Sequence, residues 1–105
     1  MDTTNLFDLK GHVAVVTGGN GGIGRSLALG FAQAGASVAI VGRNEEKNQQ
    51  VLGELKAVGR PAMALRVDLT HRDELEPAMQ AIESALGPVN TLVNNAGIVS
   101  LSGGI

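Results

Sequence analysis

Four short polar clusters are the places where this sequence could do chemistry. The first is Thr17-Gly18-Gly19-Asn20-Gly21-Gly22-Ile23-Gly24, in which the five positions from Gly18 to Gly22 hold four glycines. Backbone without side chains can approach a pyrophosphate closely, and a helix starting here would offer free N–H groups and a positive dipole end to an anion. A bare strand-to-helix turn would not need so many glycines, because each one loses more freedom on folding than any other residue. The second cluster is Gly42-Arg43-Asn44. Arg43 presents a planar fork of donors suited to a phosphate, and Gly42 puts no carboxylate beside it. The third is Asp68-Leu69 and the fourth Asn94-Asn95-Ala96-Gly97.

The same letters admit a rival for the first cluster. Gly19-x-x-x-x-Gly24-Arg25-Ser26 is a P-loop pattern with Arg in the place of Lys. The bulkier guanidinium does not replace a compact ammonium inside such a loop. A nucleotide triphosphatase also needs a carboxylate at a later strand end to hold magnesium, and only Asp68 is available. Taken singly, Arg43 could be a solvated arginine paired with Glu46, Asp68 a turn residue, and Asn94-Asn95 a polar turn. His12 and His71 lack partners at metal-ligand spacing and are expected at the surface.

The clusters gain meaning from the elements between them. Val13–Thr17 and Ser37–Val41 are continuous apolar runs, as expected for parallel strands buried on both faces. Ala62–Val67 is a less marked third strand and Thr91–Asn94 a fourth. Between the first two strands, Ile23, Leu27, Phe31 and Ala34 predict the buried stripe of a helix that stops at Gly35. The next helix is capped by Asn44, has Glu45 and Glu46 in its first turn, buries Val51, Leu55 and Val58, and ends at Gly59. The third buries Leu75, Met79, Ile82 and Leu86, with Thr70 to Asp73 as a capping box and Pro77 as a break in its regularity. The order β-α-β-α-β-α-β with right-handed crossovers predicts an α/β fold: a Rossmann-like doubly wound parallel sheet, order 3-2-1-4, truncated after the fourth strand. All four clusters then fall at carboxyl ends of strands, where parallel sheets bind ligands.

Composition agrees with this reading. The chain has 105 residues, 10 acidic and 8 basic, for a net charge of −2. That length allows one domain, and the charge balance argues against a nucleic-acid partner. The absence of cysteine excludes disulfides and thiolate chemistry within these residues. No apolar run reaches the roughly 20 residues of a membrane span, and Met1 to Asn5 does not resemble a signal peptide, so a cytoplasmic location is expected.

In this order and spacing the clusters resemble the short-chain dehydrogenase/reductase family, as does the opening Phe7-Asp8-Leu9-Lys10-Gly11-His12-Val13. The likeness runs over nearly the whole chain and is similar to sugar and sugar-acid dehydrogenase-like members. It implies that Gly18, Gly22 and Gly24 form the pyrophosphate loop, that Ile23 contacts the phosphate through its backbone, and that Asn20 also binds the cofactor. Asp68 and Leu69 would hold the adenine, and Asn95, Ala96 and Gly97 would line the ribose and nicotinamide side. The basic Arg43 implies NADP in preference to NAD. Asn90, where many members carry aspartate, is expected to alter turn chemistry only.

The resemblance also sets a boundary. The family's catalytic Ser and Tyr-x-x-x-Lys pair follow after the segment matched here, and this chain contains no tyrosine. Residues 1–105 are therefore expected to be a partial NAD(P)-binding Rossmann domain, inactive alone, from an oxidoreductase acting on alcohol or carbonyl substrates. A different class stays open: a non-catalytic dinucleotide-binding or assembly module that works with a partner chain. An uncovered edge on the fourth strand predicts self-association or a complementary chain.

Overall fold

β1 (Val13–Thr17) and β2 (Ser37–Gly42) form the middle of the sheet, and their continuous apolar runs are buried almost throughout. The structure is a computed structural model and describes residues 8–18, 20–68, 70–94 and 97–100. The expectations for Leu69, Asn95 and Ala96 lie outside the described residues. The remaining elements are α1 (Gly22–Gln33), α2 (Glu45–Val58), β3 (Ala62–Arg66), α3 (Arg72–Leu86), β4 (Thr91–Asn94) and β5 (Gly97–Ser100).

The four parallel strands take the order β3-β2-β1-β4, as the sequence predicts. Register places Thr17 beside Val41 and Gly42 beside Arg66, so the strand ends that carry the polar clusters lie side by side. One face of the sheet packs on α1 and α2 through Val16, Val38, Ile40, Val51 and Leu55. The other packs on α3 through Val15, Ala39, Val41, Ala78 and Ile82.

Four expectations need correction. The sheet does not stop at the fourth strand: β5 pairs antiparallel with β4, Asn94 opposite Gly97 and Thr91 opposite Ser100. The β-branched pair Ile98-Val99 suits such a strand.

The buried stripe of α1 is Gly24, Ala28 and Ala32, one position along from the stripe expected. Small residues let the helix sit close to the sheet; Leu27 and Phe31 flank that contact half-buried, and Ile23 is 80% exposed.

The cap of α3 is His71, not Thr70; Pro77 lies inside the helix. Thr70 instead donates both its N–H and its hydroxyl to Asp68 Oδ1, at 3.0 and 2.7 Å. That side-chain turn competes with a capping box for the same hydroxyl.

Helix α2 follows the sequence reading closely. The Asn44 carboxamide oxygen accepts from Lys47 N–H at 3.0 Å, and Gly59 takes the left-handed conformation, φ +94°, that a helix terminus favours in glycine. At the opposite ends of the strands, Asn90 Oδ1 accepts from Val13 N–H at 2.7 Å, the local turn chemistry expected of it. His12 is not a free surface residue. Its Nε2 lies 2.7 Å from Thr91 Oγ1, tying β1 to β4.

Candidate functional site

The glycine loop leaves β1 at Thr17, whose hydroxyl donates to the Val93 carbonyl at 3.2 Å and so fixes the loop's root against β4. Gly18 N–H donates to the Val41 carbonyl at 2.8 Å. Gly18 (φ +69°) and Gly22 (φ +55°) adopt left-handed backbone that side chains resist. A Cβ at Gly21 or Gly22 would meet no protein atom within 4 Å. Gly21 and Gly22 therefore border open space, as a cradle for a ligand requires. Gly24 is buried on the sheet side.

The N-terminus of α1 differs from those of its neighbours. Its cap is Gly21, with no capping side chain and no acidic residue in the first turn. In contrast α2 has Glu45 and Glu46, and α3 has Asp73 and Glu74. The first turn of α1 thus carries no side-chain anion of its own, the condition that favours an external one.

Beside the loop, a cleft of about 230 Å³ runs along the strand ends between Gly18 and Asn20 on one side and Arg43, Asp68 and Thr70 on the other. It continues into a space lined by Asn20, Arg43, Asn44 and Lys47. The structure thus brings together Gly18, Asn20, Arg43 and Asp68 from the predicted set. Gly97 opens β5 opposite Asn94, at the same end of the sheet. A larger groove, about 500 Å³, lies between α1 and the segment Asp8-Leu9, around Leu27, Gly30 and Phe31. It is apolar and holds none of the strand-end clusters, so it is a poor match to a charged ligand.

Asp68 serves its turn and keeps an oxygen to spare. The hydrogen bonds from Thr70 hold its carboxyl below the usual range, helped by the charges of His71 and Arg43. Oδ1 takes both Thr70 bonds, while Oδ2 lies 3.9 Å from His71 Nδ1. His71 Nδ1 also meets Glu74 Oε2 at 2.8 Å. That bond raises the imidazole above its ordinary range and lowers Glu74 below its own.

Three contributors escaped the sequence reading. Lys47, in the first turn of α2 just beyond the Asn44 cap, lines the same space as Arg43, and its closeness in sequence to Arg43 was the signal for a second cation there. Asn48 is fully buried on the inner face of α2. Its Nδ2 donates to the carbonyls of Gly42 (3.0 Å) and Leu65 (3.3 Å), and its Oδ1 accepts from Asn20 Nδ2 at 2.9 Å. A polar residue on an apolar helical stripe was the only sign of it. The third is the reason for Gly42: a Cβ there would lie 2.5 Å from Asn20 Nδ2 and 2.9 Å from Asn48 Oδ1. The glycine makes room for that amide pair.

The P-loop rival fails on geometry. Arg25 is bonded through its guanidinium to Glu54 on α2, with Nε 2.9 Å from Oε1. It is held between the two helices instead of serving the loop.

The short chain dehydrogenase family matches residues 12–104. The chain belongs to that family. A short chain dehydrogenase of Pseudocercospora fijiensis is 45% identical over 93 residues, which make up 89% of this chain and 30% of that protein. A 7α-hydroxysteroid dehydrogenase solved with NADH and 7-oxo glycochenodeoxycholic acid superposes with a TM-score of 0.82 at 37% identity, over 90% of this chain and 37% of the other. An NAD+-bound xylitol dehydrogenase superposes at 0.78 with 25% identity, over 80% and 32%. The chain spans 30–38% of the length of the curated relatives it matches. Among the described residues, no helix of this short chain dehydrogenase family member is long and apolar enough to cross a membrane.

Proposed function

We propose that this chain is the NADP(H)-binding region of a short-chain oxidoreductase, a partial Rossmann domain that serves hydride transfer between the nicotinamide and an alcohol or carbonyl substrate. The observation that carries the preference is the space at the end of β2. Arg43 and Lys47 line it together, and position 42 bears no carboxylate. Two cations there favour a 2′-phosphate over a 2′-hydroxyl.

The donor set fits a dinucleotide. Gly18, Gly22, Ile23 and Gly24 would hold the pyrophosphate against the uncapped start of α1, and Asp68 with Leu69 the adenine. Asn95, Ala96 and Gly97 would border the ribose and nicotinamide side. When bound, the cofactor supplies the hydride chemistry, and these residues position it. The 105 residues hold no tyrosine, so an acid/base of the family's type must come from outside them.

A second reading is a dinucleotide-binding module without turnover that acts with a partner chain or a second copy. It is favoured by the sheet face beside α3, where Met63, Leu65 and Leu92 are only half-buried.

Titration of NADPH and NADH into the chain, with and without Arg43→Ala, tests the main reading. About tenfold tighter binding of NADPH, near 1.4 kcal/mol, is expected, and most of it should vanish in the variant. Equal affinities in the unsubstituted chain would refute the preference.

A further inference from the structure

The amide pair beneath the cleft has a fixed polarity. Asn48 Nδ2 faces two backbone carbonyls, of Gly42 and Leu65, which can only accept. The other end of that carboxamide, Oδ1, must therefore be the acceptor that meets Asn20. The Gly42 carbonyl also accepts from Val67 N–H at 3.1 Å, so the β2 and β3 ends, α2 and the glycine loop meet at this one buried group. Asn20 is in turn held with its nitrogen end against the protein, bonded to Asn48 and packed over Gly42. Its carbonyl oxygen is the end without a partner among the described residues. Asn20 lines the cleft and also the space that Arg43 and Lys47 share.

We infer that Asn48 is a specificity-positioning residue: by taking up the Asn20 NH₂ group it leaves Asn20 Oδ1 for the ligand, and so restrains the preference for a 2′-phosphate that Arg43 and Lys47 create. A phosphate near neutral pH offers acceptors, which an amide oxygen repels, whereas a ribose hydroxyl can donate to it. Release of Asn20 lets its amide turn and offer N–H to the phosphate. The inference rests on the reading that the adenosine end of a dinucleotide lies in this cleft.

The test is calorimetric titration of NADPH and of NADH into the chain and into Asn48→Leu, Asn20→Ala and the double variant. A purely structural role for Asn48 would weaken both ligands alike and leave their ratio unmoved. The inference instead expects the NADPH:NADH affinity ratio to rise about fivefold in Asn48→Leu. It should rise in Asn20→Ala as well, which removes the oxygen, and Asn48→Leu should add nothing in that background. An unchanged or falling ratio in either single variant overturns it. Where Asn48→Leu does not fold, Asn20→Ala and Asn20→Asp decide: the ratio must rise in the first and fall in the second, and any other order refutes the inference. Failure of the unsubstituted chain to bind either nucleotide would refute the underlying reading. Binding of both with an unmoved ratio would refute the inference alone.

Discussion

The Arg25 guanidinium is paired with the Glu54 carboxylate across α1 and α2, and this contact gives the residue after the glycine loop a structural task. Each partner shifts the other toward its charged form: Arg25 is raised by the hydrogen bond to Glu54, and Glu54 is lowered by the one from Arg25. Both side chains are well exposed, so salt screens the pair. Arg25→Ala should change NADPH affinity less than about twofold, within the range expected of a residue with no ligand contact. Arg25→Lys should confer no ATP hydrolysis. A large loss of NADPH binding in Arg25→Ala would place the guanidinium in the site after all.

Two loop glycines separate backbone shape from ligand space. Gly21 is extended, φ −169°, and a Cβ there meets nothing. Gly21→Ala should leave stability to denaturant within about 0.5 kcal/mol. Gly22 sits at φ +55°. Gly22→Val should cost about 1–2 kcal/mol of stability and abolish dinucleotide binding, because the branched side chain is strained and enters the space of the phosphate. A folded Gly22→Val chain that binds NADPH as tightly as the parent would show that the pyrophosphate lies elsewhere.

Gly42→Ala should destabilise the chain by about 1–3 kcal/mol, since the new methyl group displaces the Asn20–Asn48 contact. Urea unfolding checks this. No loss of stability would mean that the amide pair is not held as described.

The start of α3 carries a pH dependence whose sign follows from its two kinds of group. His71, raised above 6.5, contributes stability that is complete below 6.5 and is lost as pH rises through its folded-state value. Asp68 and Glu74 are lowered, so theirs is present above 3.8 and 4.5 and is lost as pH falls through their folded-state values. The cluster is therefore firmest between about pH 4.5 and 6.5. Proton NMR of the His71 ring should give a midpoint above 6.5 that moves back toward it in Glu74→Gln. A midpoint unaffected by that substitution would remove Glu74 as the cause.

Much of this architecture was legible because its signals were local. Val13–Thr17 and Ser37–Val41 read as strands since parallel strands buried on both faces need unbroken apolar runs. Asn44 and Gly59 marked the ends of α2 because caps are set by one side chain or one φ angle. What stayed hidden depends on close approach in three dimensions. Gly24, Ala28 and Ala32 look too small for a core stripe until α1 is seen against the sheet. Asn48 looks like a solvated helix residue until two strand-end carbonyls meet it. β5 was concealed because four residues of weak pattern become a strand only when an edge is offered. For the site, the glycine loop and Arg43 were legible as motifs, whereas Lys47 and the Asn20–Asn48 pair needed the geometry.

β5 has a measurable consequence. With β1 on one side and β5 on the other, the Leu92 and Val93 amides should be strongly protected from hydrogen exchange. Truncation after Asn94 should raise their exchange and increase self-association in sedimentation over a tenfold concentration range. Equal protection in both chains would mean that β5 does not secure that edge.

Chemical-shift mapping of NADP+ on the ¹⁵N-labelled chain reads out directly whether the cofactor lies at the strand ends. Saturable shifts are expected at the amides of Gly18, Gly22, Ile23, Gly24, Arg43 and Asp68, with Leu27 and Phe31 in the apolar groove along α1 unmoved. Shifts confined to that groove, or none at saturating NADP+, would contradict a cofactor site at the strand ends.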